Sequence, residues 1–529
     1  MTSKTTSLSA GILLATCLAL LSAPLAAGQD DSGPDNPGQP EVIYELHHDV
    51  SPPLRDIEPL PETGGPRVIP LGRRQPPAAV VPQLDPVLQE SAGPFVGTTP
   101  GLNFLGVGVG LDNFTVGSAP PDTNGAVGAT QFVQWVNVSF AVFSKTTGAL
   151  VHGPVAGNTL WSGFGGQCQA HNDGDPIAQY DKAAGRWVLA QPVFESPFVY
   201  CIAVSTTSDA TGTYHRYAFS MPNFPDYPKL GVWPDAYYAS FNMFSGNSFV
   251  GARACAFNRS AMLAGTAATA ICFQQSSAVF SLLPSDLDGT TAPPTGSPNF
   301  LLNFETNSLN LFKFHVDFAS PAKSTFTGPT VIPVAPFTPA CGGGVCIPQP
   351  NTSQKLDSLA DRLMYRLAYR NFGTHESLVV NHSVFVSGNK HSQVDGVRWY
   401  EVRNPNGAPG VFQEGTFSPD SNSRWMGSIA MDKVGDIAVG YSVSSSTLFP
   451  SIRYTGRVPT DLLGTLESEK TITAGTGSQN GGLNRWGDYS SMSVDPADDC
   501  TFWYTNEYLE TTGSFNWSTR IASFKFPGC

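Results

Sequence analysis

With 529 residues, a formal net charge of −13 and only 13% charged side chains, the chain offers no general attraction to nucleic acid or to an anionic membrane surface. Its 53 glycines, 44 prolines and 11% aromatic residues describe a turn-rich β domain and exclude a helical bundle or a wholly disordered chain. Nine cysteines, one of them in an apolar leader, leave an even number suited to disulfides in an oxidising compartment.

Residues 1–27 read as a signal peptide: Lys4 precedes an apolar run from Leu8 to Ala26, and Ala26-Ala27-Gly28 offers a small-residue cleavage site. The run is short for a bilayer and a polar, Pro-rich stretch follows it, so no membrane span is expected. The expected location is secreted or extracellular, with the periplasm as the alternative. Residues 28–98 read as a Pro-rich linker or propeptide, disordered except for Val42-Ile-Tyr-Glu-Leu46, which suits a single strand or docking segment.

Residues 99–529 carry short alternating runs separated by Gly, Pro, Asn and Asp, the pattern of an all-β domain. Asp175 to Gln191, Gly427 to Ser442 and Tyr489 to Thr505 align as strand, Asp-led turn and returning strand. Looser copies place repeat starts near residues 122, 173, 233, 299, 361, 425 and 487, a spacing of roughly 50 to 65 residues that fits one four-stranded propeller blade each. The expected fold is therefore a β-propeller of seven blades, with six as the alternative. Phe104 to Gly110 is expected to close the last blade against the C-terminal strands. Cys341 is expected to pair with Cys346, and Cys500 with Cys529.

In a propeller the segments leading into successive inner strands converge on one end of the central channel. Here they hold Asp122, the His171-Asn-Asp-Gly-Asp175 cluster, Asp226 to Lys229, Trp233-Pro-Asp235, Asp361-Arg362, Arg424-Trp425 and Arg485-Trp-Gly-Asp488. His171, Asp173, Asp175, Asp235 and Asp488 are the candidate catalytic residues, because paired carboxylates and histidine supply general acid and base. Lys229, Trp233, Arg362, Arg424, Trp425, Arg485 and Trp486 are the candidate substrate contacts: Arg forks onto carboxylates and Trp offers a face to a sugar ring. Against this stands a structural reading in which repeated Asp caps turns and repeated Arg-Trp packs between blades. Asp181, Asp432 and Asp495 belong to hairpin turns, and His382 reads as a strand residue. His375-Glu376 sits in an exposed turn. No cofactor is demanded and no metal-ligand set is identified. Calcium is the candidate ion, although Asp286-Leu-Asp288-Gly289 is only a fragment of a calcium loop. There is no nucleophile elbow, zinc helix or P-loop.

Ala119 to Gly128, Asp226 to Asp235 and Arg485 to Ser491 resemble a group of exported bacterial propeller proteins, most of them functionally undescribed. The resemblance implies the fold and export and transfers no catalytic residue. Asp181-Lys-Ala-Ala-Gly-Arg-Trp187 is also distantly similar to the Asp-box turn of sialidases, but lacks its Ser-x-Asp-x-Gly-x-Thr-Trp form. The leading expectation is a secreted, monomeric propeller that recognises an extracellular acidic polysaccharide at the channel mouth. If it is an enzyme, it is a glycoside hydrolase or polysaccharide lyase. The alternative is a non-catalytic adhesion module for protein or cell-wall polymer.

Overall fold

The computed structural model describes residues 38–61, 65–72, 82–112, 114–389 and 393–529. The expected signal peptide lies outside them. Among the described residues no helix is long and apolar enough to cross a membrane.

The recurring local unit is a hairpin set by an aspartate. Ile177–Asp181 pairs antiparallel with Arg186–Pro192. Between them Asp181 Oδ1 accepts the Ala184 N–H at 3.0 Å, and Gly185 takes a φ of +65°, a conformation natural to glycine. Asp432 does more, accepting from the N–H groups of Val434, Gly435 and Asp436. These turns close the inner strands at the end opposite the segments that lead into them.

Among the described residues, seven four-stranded antiparallel units follow one another: residues 123–156, 177–220, 224–274, 283–333, 364–417, 423–473, and 491–525 completed by Thr99–Leu105. The first strands of these units touch in turn, and the seventh returns to the first, so the chain is an all-β propeller closed into a ring. Units 4 and 5 are further joined by parallel pairing of Leu283–Asp288 with Met364–Asn371. Closure comes from Thr99–Leu105 lying antiparallel to Ser518–Lys525, with Phe104 opposite Ile521. The closing strand starts five residues before the expected Phe104, because Pro100 and Gly101 are tolerated at an outer edge.

Two repeat starts are displaced from expectation. The third inner strand is Phe224–Val232, with a register shift between Asp226 and Lys229, and the fourth is Leu283–Asp288. Pro225, Pro228 and Pro284 disguise both as loops, so the apparent starts at Trp233 and Asn299 fall one strand-length late.

The described part of residues 28–98 is not a disordered linker. Glu41–Val50 pairs antiparallel with Tyr214–Ser220 on one side and Thr269–Gln274 on the other, bridging the outer strands of units 2 and 3. Leu88–Gln89 adds to the outer strand Gly410–Phe417 of unit 5. Outer propeller edges carry free backbone donors and acceptors, and a polar segment satisfies them without an obvious apolar pattern. The strand expected at Val42 to Leu46 is thus present, and longer.

Four disulfides link Cys168–Cys201, Cys255–Cys272, Cys341–Cys346 and Cys500–Cys529. The last two are those expected, and the set fits an exported protein.

Candidate functional site

The segments entering the inner strands bring carboxylates together at what we term the leading end of the channel. Asp122 and Asp175 take left-handed backbone at φ +46° and +52°, just before Thr123–Val127 and Ile177–Asp181. Aspartate tolerates this region better than most side chains. Asp488 precedes the last inner strand, Ser491–Val494. Carboxylate oxygens of Asp122, Asp175 and Asp488 all lie within 4.8 Å of one another. Asp226 and Glu507 border the group, and all five acids are buried.

Cations and aromatic rings enclose these acids. Lys229 Nζ sits 3.4 Å from the centroid of the Tyr227 ring and 4.0 Å from that of Tyr489, and donates to the Pro228 carbonyl at 2.7 Å. Arg485 donates to Asp488 Oδ1 and to the Ile69 carbonyl. Arg362 forks onto Asp361 at 2.7 and 3.2 Å and lies over the Tyr227 ring. Burial pushes the Asp175 carboxyl up to about 6 against the pull of Lys229, and holds those of Asp122, Asp226 and Glu507 well above the usual range. Burial likewise brings Lys229 down to about 7 despite Asp175, Asp488 and Asp122 beside it.

The cluster is closed rather than an open mouth. Residues 65–72 lie across it: Arg67 and Val68 pair with Ser118 and Ala119, Ile69 receives the Arg485 bond, and Ile69 packs beside Gly174. Asp175, Asp488, Lys229, Arg362 and Arg485 therefore meet, as the sequence suggests, but out of solvent.

The other sequence candidates are elsewhere. Trp233 and Asp235 follow the strand Phe224–Val232 and so stand at the trailing end, four and six residues beyond Lys229. Asp235 accepts from the Tyr238 hydroxyl at 3.2 Å, and Trp233 packs edge-on against Tyr369. Arg424 forks onto Glu469 at 2.9 and 3.0 Å and reaches Asp420 at 2.8 Å. Trp425 and Trp486 pack against each other with centroids 5.9 Å apart, and Trp486 Nε1 donates to Ser442. All three tryptophans are buried, so none offers a face to a sugar. Repetition of Arg-Trp marks packing between units.

His171 and Asp173 line an open cleft of about 530 Å³ at the leading end, with Arg67, Asn158, Gln169 and Asn172. His171 Nδ1 is 3.9 Å from Asp173 Oδ2, which also accepts the Phe194 N–H at 2.8 Å. Burial raises the Asp173 carboxyl above its ordinary value, opposed by that backbone bond and by His171. A second cleft, of about 470 Å³, lies at the trailing end around Trp233, Arg259 and Gly289. There Asp181 is already held by Arg259 and by the Tyr237 hydroxyl.

The sequence places Asp122 and Asp226 among the converging lead-in residues but not among the candidate catalytic or substrate-binding residues, and it does not single out Glu507. Asp122 stands before its inner strand as Asp175 and Asp488 do, a signal that was available. Glu507 is a lone acid in the otherwise apolar and neutral strand Phe502–Tyr508, a weaker signal. Arg67 carries none, since its segment reads as linker.

No protein-family model matches the chain, and no curated protein matches it. Among solved structures it is similar to an α-L-arabinofuranosidase from Fusarium graminearum, at 8% identity over 82% of this chain and 99% of that one, with a TM-score of 0.34. It is also similar to an ulvan lyase, at 12% identity over 79% and 97% of the two chains and a TM-score of 0.34. A third is the extracellular domains 1–2 of Drosophila semaphorin 1b, at 7% identity over 83% and 89% and a TM-score of 0.35. The overlaps are loose along the whole chain, and the site above is read from its own residues.

Proposed function

We propose that this protein is an extracellular propeller that recognises a glycan in the cleft beside the leading end of the channel. What supports this is the cleft itself: its about 530 Å³ falls in the size range of small-molecule sites, and it is edged by amide, imidazole, guanidinium and carboxylate groups. Such groups exchange hydrogen bonds with sugar hydroxyls, and Arg67 supplies a positive charge for an acidic sugar. Among the described residues lining the cleft, Asp173 is the one carboxylate. Recognition needs no second carboxylate, whereas hydrolysis by a carboxylate pair does.

The approach of His171 to Asp173 supports a second reading, elimination at a uronic acid. His171 would take the C5 proton with Asp173 beside its ring, the C4–O bond would break as a C4=C5 double bond forms, and the departing oxygen would take a proton from water. A panel of uronic-acid-containing and neutral polysaccharides, assayed for binding and for the absorbance of unsaturated products, separates the two. His171→Ala and Asp173→Asn are each expected to weaken retention about tenfold, the value of about one charge-assisted hydrogen bond. The trailing-end variant Asp235→Asn should bind normally. Equal loss in all three variants, or a wild type silent across the panel, would remove the glycan reading and leave a protein-binding module.

A further inference from the structure

We propose that the buried carboxylates of Asp122, Asp175 and Asp488 form a calcium site at the hub of the ring, separate from the cleft. Asp122 Oδ1 accepts the Asp488 N–H at 2.5 Å, and Asp175 Oδ2 accepts the Tyr227 N–H at 3.0 Å. The second oxygen of each, Asp122 Oδ2 and Asp175 Oδ1, is wholly buried and has no hydrogen-bond donor. A buried carboxylate oxygen left without a donor loses its hydration and gains nothing in return, and such atoms are rare unless something binds them.

The spacing suits one hard cation. Ligand oxygens within 4.8 Å of one another fit around an ion with bonds of about 2.3–2.6 Å, the calcium range. Magnesium gives up its hydration waters reluctantly, so a hub closed to water and lined by carboxylates favours calcium. The donors are all oxygen, which disfavours zinc and copper.

Charge points the same way. Asp122, Asp175, Asp226, Asp488 and Glu507 share the hub with Lys229, Arg485 and Arg362, and the fork of Arg362 is already occupied by Asp361. Five acids share a region closed to water with only Lys229 and Arg485 to pair them, fewer cationic partners than acidic groups, and a divalent ion would complete the pairing. The three ligands come from the lead-ins of units 1, 2 and 7, so the ion sits where the ring closes and ties its first and last units together. Residues 65–72 seal the site, so the ion is captured on folding and exchanges slowly.

The test uses the full mature chain, unfolded in denaturant with chelator, refolded without metal, and then refolded in parallel with calcium or magnesium. Elemental analysis after gel filtration is expected to find one calcium retained per chain and no magnesium. The calcium form should melt at a higher temperature than the metal-free form. Asp175→Asn combined with Asp488→Asn should abolish retention, while Asp432→Asn, in a remote hairpin turn, should retain calcium as the wild type does. Because the double variant is at risk of misfolding, the wild type decides alone: refolded protein that holds no calcium after exposure to millimolar metal, with an unchanged melting temperature, overturns the proposal. Retention surviving in a folded double variant overturns it equally, by placing the ion elsewhere.

Discussion

Replacing Arg366 by leucine is expected to lower the stability of the folded chain by about 3–5 kcal/mol, the cost of stranding buried charges whose partner is removed. Arg366 Nε lies 2.7 Å from Asp286 Oδ2, its Nη2 lies 2.7 Å from Asp288 Oδ1, and Nη1 donates to the Met492 carbonyl at 3.3 Å. Burial alone would raise the Asp288 carboxyl, yet Arg366, Lys182 and Arg370 together hold it down to about 2, so it is ionised at neutral pH. Asp286 in turn accepts the Val232 N–H at 2.9 Å and the Gln179 amide at 3.1 Å. One guanidinium thus joins units 4, 5 and 7 directly and units 2 and 3 through Asp286. Urea denaturation of Arg366→Leu, alone and combined with Asp286→Asn and Asp288→Asn, checks this: the combined variant should recover part of the loss, because it removes the stranded charges. A loss below about 1 kcal/mol for the single variant would mean the knot is not a stabilising centre.

The second large effect is a pH dependence localised at Asp395. Its carboxyl is wholly buried, and burial pushes it up to about 7 despite hydrogen bonding from Gln393 and Ser423. Its Oδ2 faces Cys346 Sγ at 3.6 Å and Cys341 Sγ at 3.8 Å, sulfurs that are joined to each other and have no proton to donate. Because the folded value is raised, the folded chain keeps a proton that the unfolded chain gives up between about pH 4 and pH 7. Stability is therefore highest below that window and falls as pH rises through it. The contribution is about 4 kcal/mol, at 1.4 kcal/mol per tenfold change in proton affinity. Asp395→Asn, which is neutral throughout, should unfold at a nearly pH-independent urea midpoint relative to the wild type, and should be the more stable of the two at about pH 8. A wild-type slope that persists unchanged in Asp395→Asn would assign it to other buried acids, such as Asp436, which burial and Asp432 also raise.

Much of the fold was legible because Asp-led hairpin turns are local: Asp181, Asp432 and Asp495 cap backbone within a few residues of themselves, so the motif survives in sequence. The strands that were misplaced are those whose prolines contradict local propensity, at Pro225, Pro228 and Pro284. Their place is set by neighbours in the ring. Glu41–Val50 was legible only as a short fragment, because it is held by backbone pairing on both edges and leaves Tyr44 and Leu46 exposed.

The candidate site divides the same way. Convergence of Asp175, Asp488, Lys229 and Arg485 follows from where lead-in segments must go in a propeller, so their positions in the repeat were informative. Whether the mouth is open was not, since the closing residues 65–72 come from the stretch with the weakest pattern. Trp425 and Trp486 looked like sugar platforms by residue type, and only burial distinguishes a platform from packing between units.

Hydrogen–deuterium exchange of the protein alone and with a polysaccharide that it retains locates the surface that binds it. Slowed exchange is expected only in the segments around Asn158 and from Gln169 to Asp173, which edge the leading-end cleft. Slowed exchange instead around Trp233 and from Gly289 to Ala292, at the trailing end, or no change anywhere with the ligand bound, would contradict it.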